Sequence, residues 1–306
     1  MQNAGESCAR IVTSASDGVE YRPACYDEIV PTAKRIQREN GFVYLVFLNA
    51  GFQPMIKSWI CNIVKLEPAL LRSMIFVTTE RRISEEMSGF HDGLQLFVEP
   101  SNWTLGASFG SFEYFSIVWE RMRVQNALVQ EGVSVQIIEA DQIWNTNINA
   151  QVRRALEETI IFAGSEGRLR TSTFGRMKRI CGGFYGVHAT ERARQFYKCY
   201  FLKYTAHLAA FKTLKHDLKT LKNFFDDQDF LTRLTAEENI PVKFASSCFY
   251  SNGEWYSSWI KKFRCPKPSV LHNNFITGTG AKIERAKRYQ QWFIKEDSTG
   301  KEHCDV

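Results

Sequence analysis

The chain has no apolar run long enough to cross a bilayer. Its longest, Phe42 to Leu48, has seven residues, against the roughly 18–20 that a spanning helix needs. No basic-then-apolar leader follows Met1, so the chain as given is expected to be soluble, with no membrane contact of its own. No two of its cysteines stand in a C-x-x-C pair, which argues against a zinc site or a redox dithiol. It carries no nucleic-acid module motif, and a net charge of +6 is a mild excess. Such an excess suits an anionic small molecule such as a nucleotide diphosphate, and no nucleic-acid partner is expected. Repeats and low-complexity tracts are missing too.

What is present is an ordinary globular balance, 44% hydrophobic and 24% charged over 306 residues, with 23 Phe, 11 Tyr and 7 Trp to fill a large core. Late basic residues, Lys261, Lys262, Arg264 and Lys267, then Lys282, Arg285, Lys287 and Arg288, read for the most part as a solvated face. Eight scattered cysteines leave disulfides and buried thiols equally open, with Cys248 and Cys265 the best-placed pair. One glycosylation sequon stands at Asn102-Trp103-Thr104.

After an irregular lead-in, residues 1–37, the pattern alternates. "FVYLVFLN" (42–49), "MIFVTTE" (74–80), "LQLFVEP" (94–100) and "VSVQIIEAD" (133–141) read as strands. Between them "PMIKSWICNIVK" (54–65) reads as a helix with Pro54 in its first turn, 81–88 as a polar helix, and 111–132 as a long helix capped by Ser111 and stopped at Gly132. Continuous apolar strands alternating with helices mean a mostly parallel, Rossmann-like α/β sheet covered on both faces. Ligands of such sheets bind beyond the carboxyl ends of the strands. The second half is mixed. Strands are expected at 159–164 and 178–188, a helix over 190–215, a short acidic helix at 224–234, and strands in 242–256 joined by an Asn252-Gly253 turn. A strand end, a glycine loop and a helix close it over 269–292. The division is a single domain over 38–295, with a nucleotide-binding half (38–145) and an acceptor half (146–295), then a tail (296–306).

Glu139 and Asp141 close the fourth strand. Residues two apart on a strand share a side, and two carboxylates there repel unless a cation lies between them. Oxygen ligands suit Mg²⁺ or Mn²⁺. Capping by one acid and solvation of the other is an equal reading. A neutral imidazole at His272 can complete a Mn²⁺ shell; the other five histidines are read as structural. Gly278, Gly280 and Lys282 offer amides and a charge to a phosphate at a helix start, without a P-loop ending. Gly182 and Gly183 inside an apolar strand mark a bulge or a close approach. Asp226, Asp227 and Gln228 open a helix, where capping is the default role and sugar-hydroxyl binding the alternative.

In this order, "IIEADQIW", "ICGGFYGV", "DDQDF" and "VLHNNFITGTGAKIERAKRYQQW" resemble the motifs of the nucleotide-diphospho-sugar transferases, in particular glycosyltransferase family 77. "FGSFEYFSIVWERMRV" is similar to that family's helix before the D-x-D strand. The resemblance spans residues 41–293. It implies a GT-A fold, a UDP-sugar donor, a divalent metal (Mn²⁺, or Mg²⁺), a glycan or protein hydroxyl as acceptor, and retention at the anomeric carbon. Carried over by position, it makes Asp141 and His272 metal ligands. Glu139 stands at the first D-x-D position, where many relatives have Asp, and reaches either the metal or the nucleotide ribose. Lys282 meets the diphosphate. Gly182, Gly183, Asp227 and Gln228 line the donor-sugar pocket, and Asn49, Ala50, Thr78, Arg123 and Gly278 join the donor site. The family also implies work in the Golgi lumen behind an anchor. Rival readings are a non-catalytic sugar- or nucleotide-binding module on the same fold, a nucleotidyltransferase or phosphohydrolase, and a remote thiol nucleophile at Cys181.

Overall fold

The computed structural model describes residue 8 and residues 22–100, 111–171, 175–213 and 226–305. The sequon at Asn102 and His216 lie outside them. The apolar runs form β1 (Val43–Leu48), β2 (Met74–Thr78), β3 (Leu96–Val98) and β4 (Val135–Ile138). A short β5 (Gln142–Trp144) leaves the sheet, which resumes with β6 (Ile161–Thr171), β7 (Gly175–Val187) and β8 (Val242–Phe244). The seven main strands take the order β3-β2-β1-β4-β7-β6-β8. Neighbours pair in parallel except at β7, which runs against both β4 and β6.

Alternation along β1 explains the layers. Val43 and Leu45 enter one apolar cluster, Tyr44, Val46 and Leu48 the other, so both faces of the strand are buried. The first face is covered by α1 (Tyr26–Asn40), and the second by α2 (Gln53–Leu66) and α3 (Arg81–Phe90). Next come α4 (Phe112–Gln130) on the first face, α5 (Asn149–Glu158) on the second, and α6 (Glu191–Thr213) and α7 (Asp227–Glu237) again on the first. Local chemistry sets the helix ends. Ser111 Oγ accepts from the Tyr114 amide at 3.1 Å to start α4, and Gly132 follows its end at φ +77°. Pro54 lies in the first turn of α2.

Several expectations are corrected. The lead-in is irregular only in part, because residues 26–40 are helical. Ile29, Val30, Ala33 and Ile36 are buried at helical spacing, and Gly41 closes the helix in the left-handed region. Asn252-Gly253 is no hairpin turn. β9 (Tyr250–Ser251) pairs in parallel with β10 (Val270–His272), and a 3₁₀ turn, Gly253–Tyr256, follows Asn252. Gly253 is needed there because a Cβ would sit 1.8 Å from the Asn274 carbonyl oxygen. A short helix α8 (Trp259–Arg264) and α9 (Thr279–Arg288) follow, and the tail forms a hairpin of β11 (Ile294–Glu296) and β12 (Glu302–Cys304). The disulfides are Cys8–Cys199 and Cys61–Cys304. Cys248 and Cys265 are free thiols, the Cys248 Sγ resting 3.6 Å from the carbonyl of Arg264. None of the described helices is long and apolar enough to cross a membrane.

Candidate active site

Two strand registers assemble the site. β4 ends at Ile138, opposite Phe184 of the antiparallel β7, which brings Gly183 beside Glu139. β5 pairs with β10 so that His272 faces Gln142, one residue beyond Asp141, and the Asn273 amide donates to the Asp141 carbonyl at 2.8 Å. The acids therefore converge for a reason other than the one expected. They lie not along a strand but in a tight turn past it, where the Gln142 amide donates to the Glu139 carbonyl at 3.3 Å.

His272 Nε2 lies 2.9 Å from Asp141 Oδ1 and 3.1 Å from Glu139 Oε2. Lys282 Nζ, brought in by α9, donates to Asp141 Oδ2 at 2.6 Å and sits 5.7 Å over the Phe52 ring. Asp141 and His272 side chains are each only 2% exposed, whereas Glu139 is 38% exposed and marks the open side. Burial alone would raise the Asp141 carboxyl; the charges of His272 and Lys282 outweigh it and hold the group far below the carboxylate range. Burial would likewise lower His272 and Lys282, and Asp141 pushes both up instead.

The glycines of β7 have two jobs. A Cβ on Gly183 would fall 2.1 Å from Glu139 Oε2, so the missing side chain is what admits that carboxylate. The Gly182 amide donates to Gln228 Oε1 at 3.0 Å. Asp227 is buried beside Gln228 and paired with Arg121. Burial, only partly offset by Arg121, lifts its carboxyl to about 6.

Arg121 is the residue that sequence reasoning missed. Its guanidinium bridges Asp227 and Glu139, the latter at 3.3 Å. Arg123, two positions on, was expected at the donor. Its partners are Glu99, Glu120 at 2.7 Å and the Trp119 ring, not the Asp141 cluster. The only signal for Arg121 was its place on the helix before the acidic strand end. Asn49 and Ala50 follow β1 in a turn where Asn49 Oδ1 accepts from the Gly51 amide at 3.0 Å. Thr279 at the start of α9 donates to the Gly51 carbonyl at 3.1 Å, so this turn borders the lysine helix. Thr78 ends β2, fully buried, its hydroxyl accepting from the Glu80 amide. Gly278 opens α9 at φ +91°, which favours glycine. Burial pushes the Cys181 thiol up to about 12, which disfavours the thiolate that a nucleophile needs.

The donor atoms of Glu139, Asp141 and His272 all lie within 4.8 Å of one another. Two hard oxygens and one imidazole nitrogen fit Mn²⁺ or Mg²⁺.

A family model of nucleotide-diphospho-sugar transferases matches residues 70–286. The β-arabinofuranosyltransferase RAY1 of Arabidopsis thaliana is 23% identical over 298 residues, 87% of this chain and 52% of that protein. The chain thus spans about half the length of that curated relative. Among solved structures, an active-site mutant of LgtC aligns over 82% of this chain and 96% of its own, with 8% identity and a TM-score of 0.50. The apo form of mouse xyloside xylosyltransferase 1 covers 76% of this chain and 98% of its own, at 13% identity and a TM-score of 0.49. The LgtC alignment shows the shared fold, the GT-A arrangement expected from the motifs.

Proposed function

This chain belongs to the nucleotide-diphospho-sugar transferase family, and from that premise we propose that it transfers a sugar from a UDP-sugar to an acceptor hydroxyl, with retention of anomeric configuration and dependence on Mn²⁺. The observation that carries the reading is the convergence of Glu139, Asp141 and His272 within 4.8 Å at the carboxyl ends of the strands, with Lys282 beside them. The bond between the anomeric carbon and the diphosphate oxygen breaks, and a bond from that carbon to the acceptor oxygen forms. The acceptor proton leaves with the departing phosphate or to solvent. No dedicated base is assigned.

Asp141, His272 and Glu139 would hold a divalent cation, which would neutralise the diphosphate charge as it develops. Lys282 adds a second positive charge there, 2.6 Å from Asp141 Oδ2. Preorganised donors of this kind lower a barrier by about 3–4 kcal/mol each. Gly182 and Gly183 leave room at the floor of the donor-sugar pocket, beside Gln228 and Asp227. Arg121 fixes Asp227 and Glu139 relative to each other, so that the sugar-side and diphosphate-side acids keep one spacing.

Since the relative RAY1 is named a β-arabinofuranosyltransferase, UDP-pentoses are tested alongside UDP-hexoses. The acceptor is a glycan or a protein hydroxyl. Two disulfides suit an oxidising lumen such as the Golgi. The test is turnover of a panel of UDP-sugars with and without Mn²⁺. One donor is consumed only with the metal, and Asp141→Ala abolishes turnover while leaving the circular dichroism spectrum unchanged. A fully active Asp141→Ala variant, or turnover indifferent to EDTA, refutes the reading.

A further inference from the structure

Behind the His272 ring, away from Glu139 and Asp141, lies a second buried polar group, in which Cys181 Sγ at 3.5 Å and Glu166 Oε1 at 3.7 Å from Nδ1 stand farther off than the tyrosine hydroxyl. Tyr250 carries its hydroxyl to 2.7 Å from His272 Nδ1, 2.7 Å from Glu166 Oε1 and 3.0 Å from Cys181 Sγ. Tyr250, Glu166, Cys181 and His272 are all buried. A phenol has one proton, and the carboxylate of Glu166 is the strongest acceptor within its reach. With its hydrogen bond donated to Glu166, the phenol oxygen is left as an acceptor facing Nδ1. Asn274 Nδ2 also lies 3.2 Å from Nδ1, but it donates to Glu166 Oε1 at the shorter distance of 2.8 Å.

We propose that Glu166 and Tyr250 are positioning residues for His272: the carboxylate accepts a hydrogen bond from the phenol O–H, the phenol oxygen accepts one from the Nδ1–H, and the Nε2 lone pair is directed at the space shared with Glu139 and Asp141. This rests on the reading of those three residues as a divalent-cation site. An imidazole can ligate a metal through Nε2 only if its remaining proton is on Nδ1, and a carboxylate behind the ring makes the ligand more basic. Here the carboxylate acts through a tyrosine.

The backbone is shaped for that tyrosine. Gly164 lies within β6, and a Cβ there would meet the Tyr250 ring at 2.5 Å. On the other side the ring stacks on Phe184, centroids 4.9 Å apart. The β6–β7 pairing shifts register between Ala163 and Ser165, and Glu166 follows the shift, as a bulge re-aims a side chain. Glycine, bulge and stacking partner each serve to bring one hydroxyl and one carboxylate behind one imidazole.

The test is a Mn²⁺ titration of the intact chain, following the free aquo-ion by electron paramagnetic resonance, with thermal melts in parallel. Tyr250→Phe and Glu166→Gln each weaken Mn²⁺ binding about 10–100-fold. The double variant loses no more than the worse single, because the two residues act as one unit. Gly164→Ala, which keeps every polar group but presses on the ring, gives a loss in the same direction. Glu166→Gln preserves shape and carries the test by itself if Tyr250→Phe does not fold. Parent-like affinity in Glu166→Gln and Tyr250→Phe overturns the proposal, as do losses that simply add in the double. If Asp141→Ala abolishes binding in that case, the cation site stands without the relay. A parent chain that binds no Mn²⁺ ends both.

Discussion

Replacing Gly183 by alanine tests the site by shape alone. The residue lies in a strand and not in the left-handed region, so an alanine backbone is unstrained there and the effect is steric. Its Cβ would fall 2.1 Å from Oε2, 2.4 Å from Cδ and 2.9 Å from Cγ of Glu139. The carboxylate must leave, and its 38% exposure gives it a path to solvent. Stability then falls at the low end of the about 1–3 kcal/mol typical of overpacking. Function falls further, because Glu139 gives up its places at His272 and Arg121. A charge-assisted contact is worth about 1.5–3 kcal/mol, or about tenfold to a hundredfold in Mn²⁺ affinity. Gly182→Ala is the control. Its Cβ would meet Asp227 Oδ2 at 3.1 Å and Gln228 Cβ at 3.2 Å, a squeeze that a small shift relieves, so its loss is smaller. Mn²⁺ titration, UDP-sugar turnover and a thermal melt read the three effects separately. Parent-like Mn²⁺ affinity in Gly183→Ala would refute the placing of Glu139 in the cation site.

Arg121→Ala leaves Asp227 buried without its partner and costs about 3–5 kcal/mol at pH 7; urea unfolding measures it, and a loss under 1 kcal/mol contradicts the bridge. Asp227 itself gives a pH signature: its folded pKa of about 6 exceeds the ordinary 3.8, so the folded chain holds this proton more tightly than the unfolded one. Its contribution to stability is therefore undiminished below about pH 4 and declines as pH rises to about 6, by about 3 kcal/mol for some two pH units. Asp227→Asn, which cannot ionise, gains on the parent across that window, and a constant difference from pH 4 to 7 excludes the shift. Cys304→Ser releases the β11–β12 hairpin from α2 and costs about 2–5 kcal/mol in chemical denaturation, with earlier proteolysis after Ile294 as its local mark.

The parallel half of the fold was legible because burial on both faces writes itself as unbroken apolar runs, as in β1 and β2. Capping was legible too, since Ser111 and Gly132 act through their nearest neighbours. Among the residues singled out in the sequence, Asp141, His272, Glu139 and Lys282 come together in space, and Gly182 adjoins Gln228. What stayed hidden depends on contacts across the chain. Arg121 and Arg123 look alike in sequence, and only the rotation of α4 against β4 and α7 turns one to the site and the other to Glu99. Tyr250 and Glu166 sit in segments with no motif, joined only by the approach of β9 to the β6 bulge. Free Cys248 and Cys265 were favoured as a pair by proximity in sequence, whereas both bonds made span 191 and 243 residues.

One register decides whether His272 reaches the acids at all, and that register is held from outside the site. A slip of one residue between β5 and β10 would turn His272 to the opposite face. β5 has only three residues and a strand partner on one side, so its other edge needs closing. Asn62 of α2 supplies that edge: its Nδ2 donates to the Trp144 carbonyl at 3.0 Å, and its Oδ1 accepts from the Trp144 amide at 2.8 Å. Both residues are buried. Asn62→Leu fills the same space and leaves two backbone groups unsatisfied, at about 1–3 kcal/mol each. The expected outcome is a loss of about 2–6 kcal/mol in urea unfolding, together with weaker Mn²⁺ binding, although the side-chain hydrogen bonds of Asn62 go to Trp144 and not to Glu139, Asp141 or His272. A variant that is destabilised yet binds Mn²⁺ like the parent shows instead that the backbone bond from Asn273 to Asp141 pins the register alone.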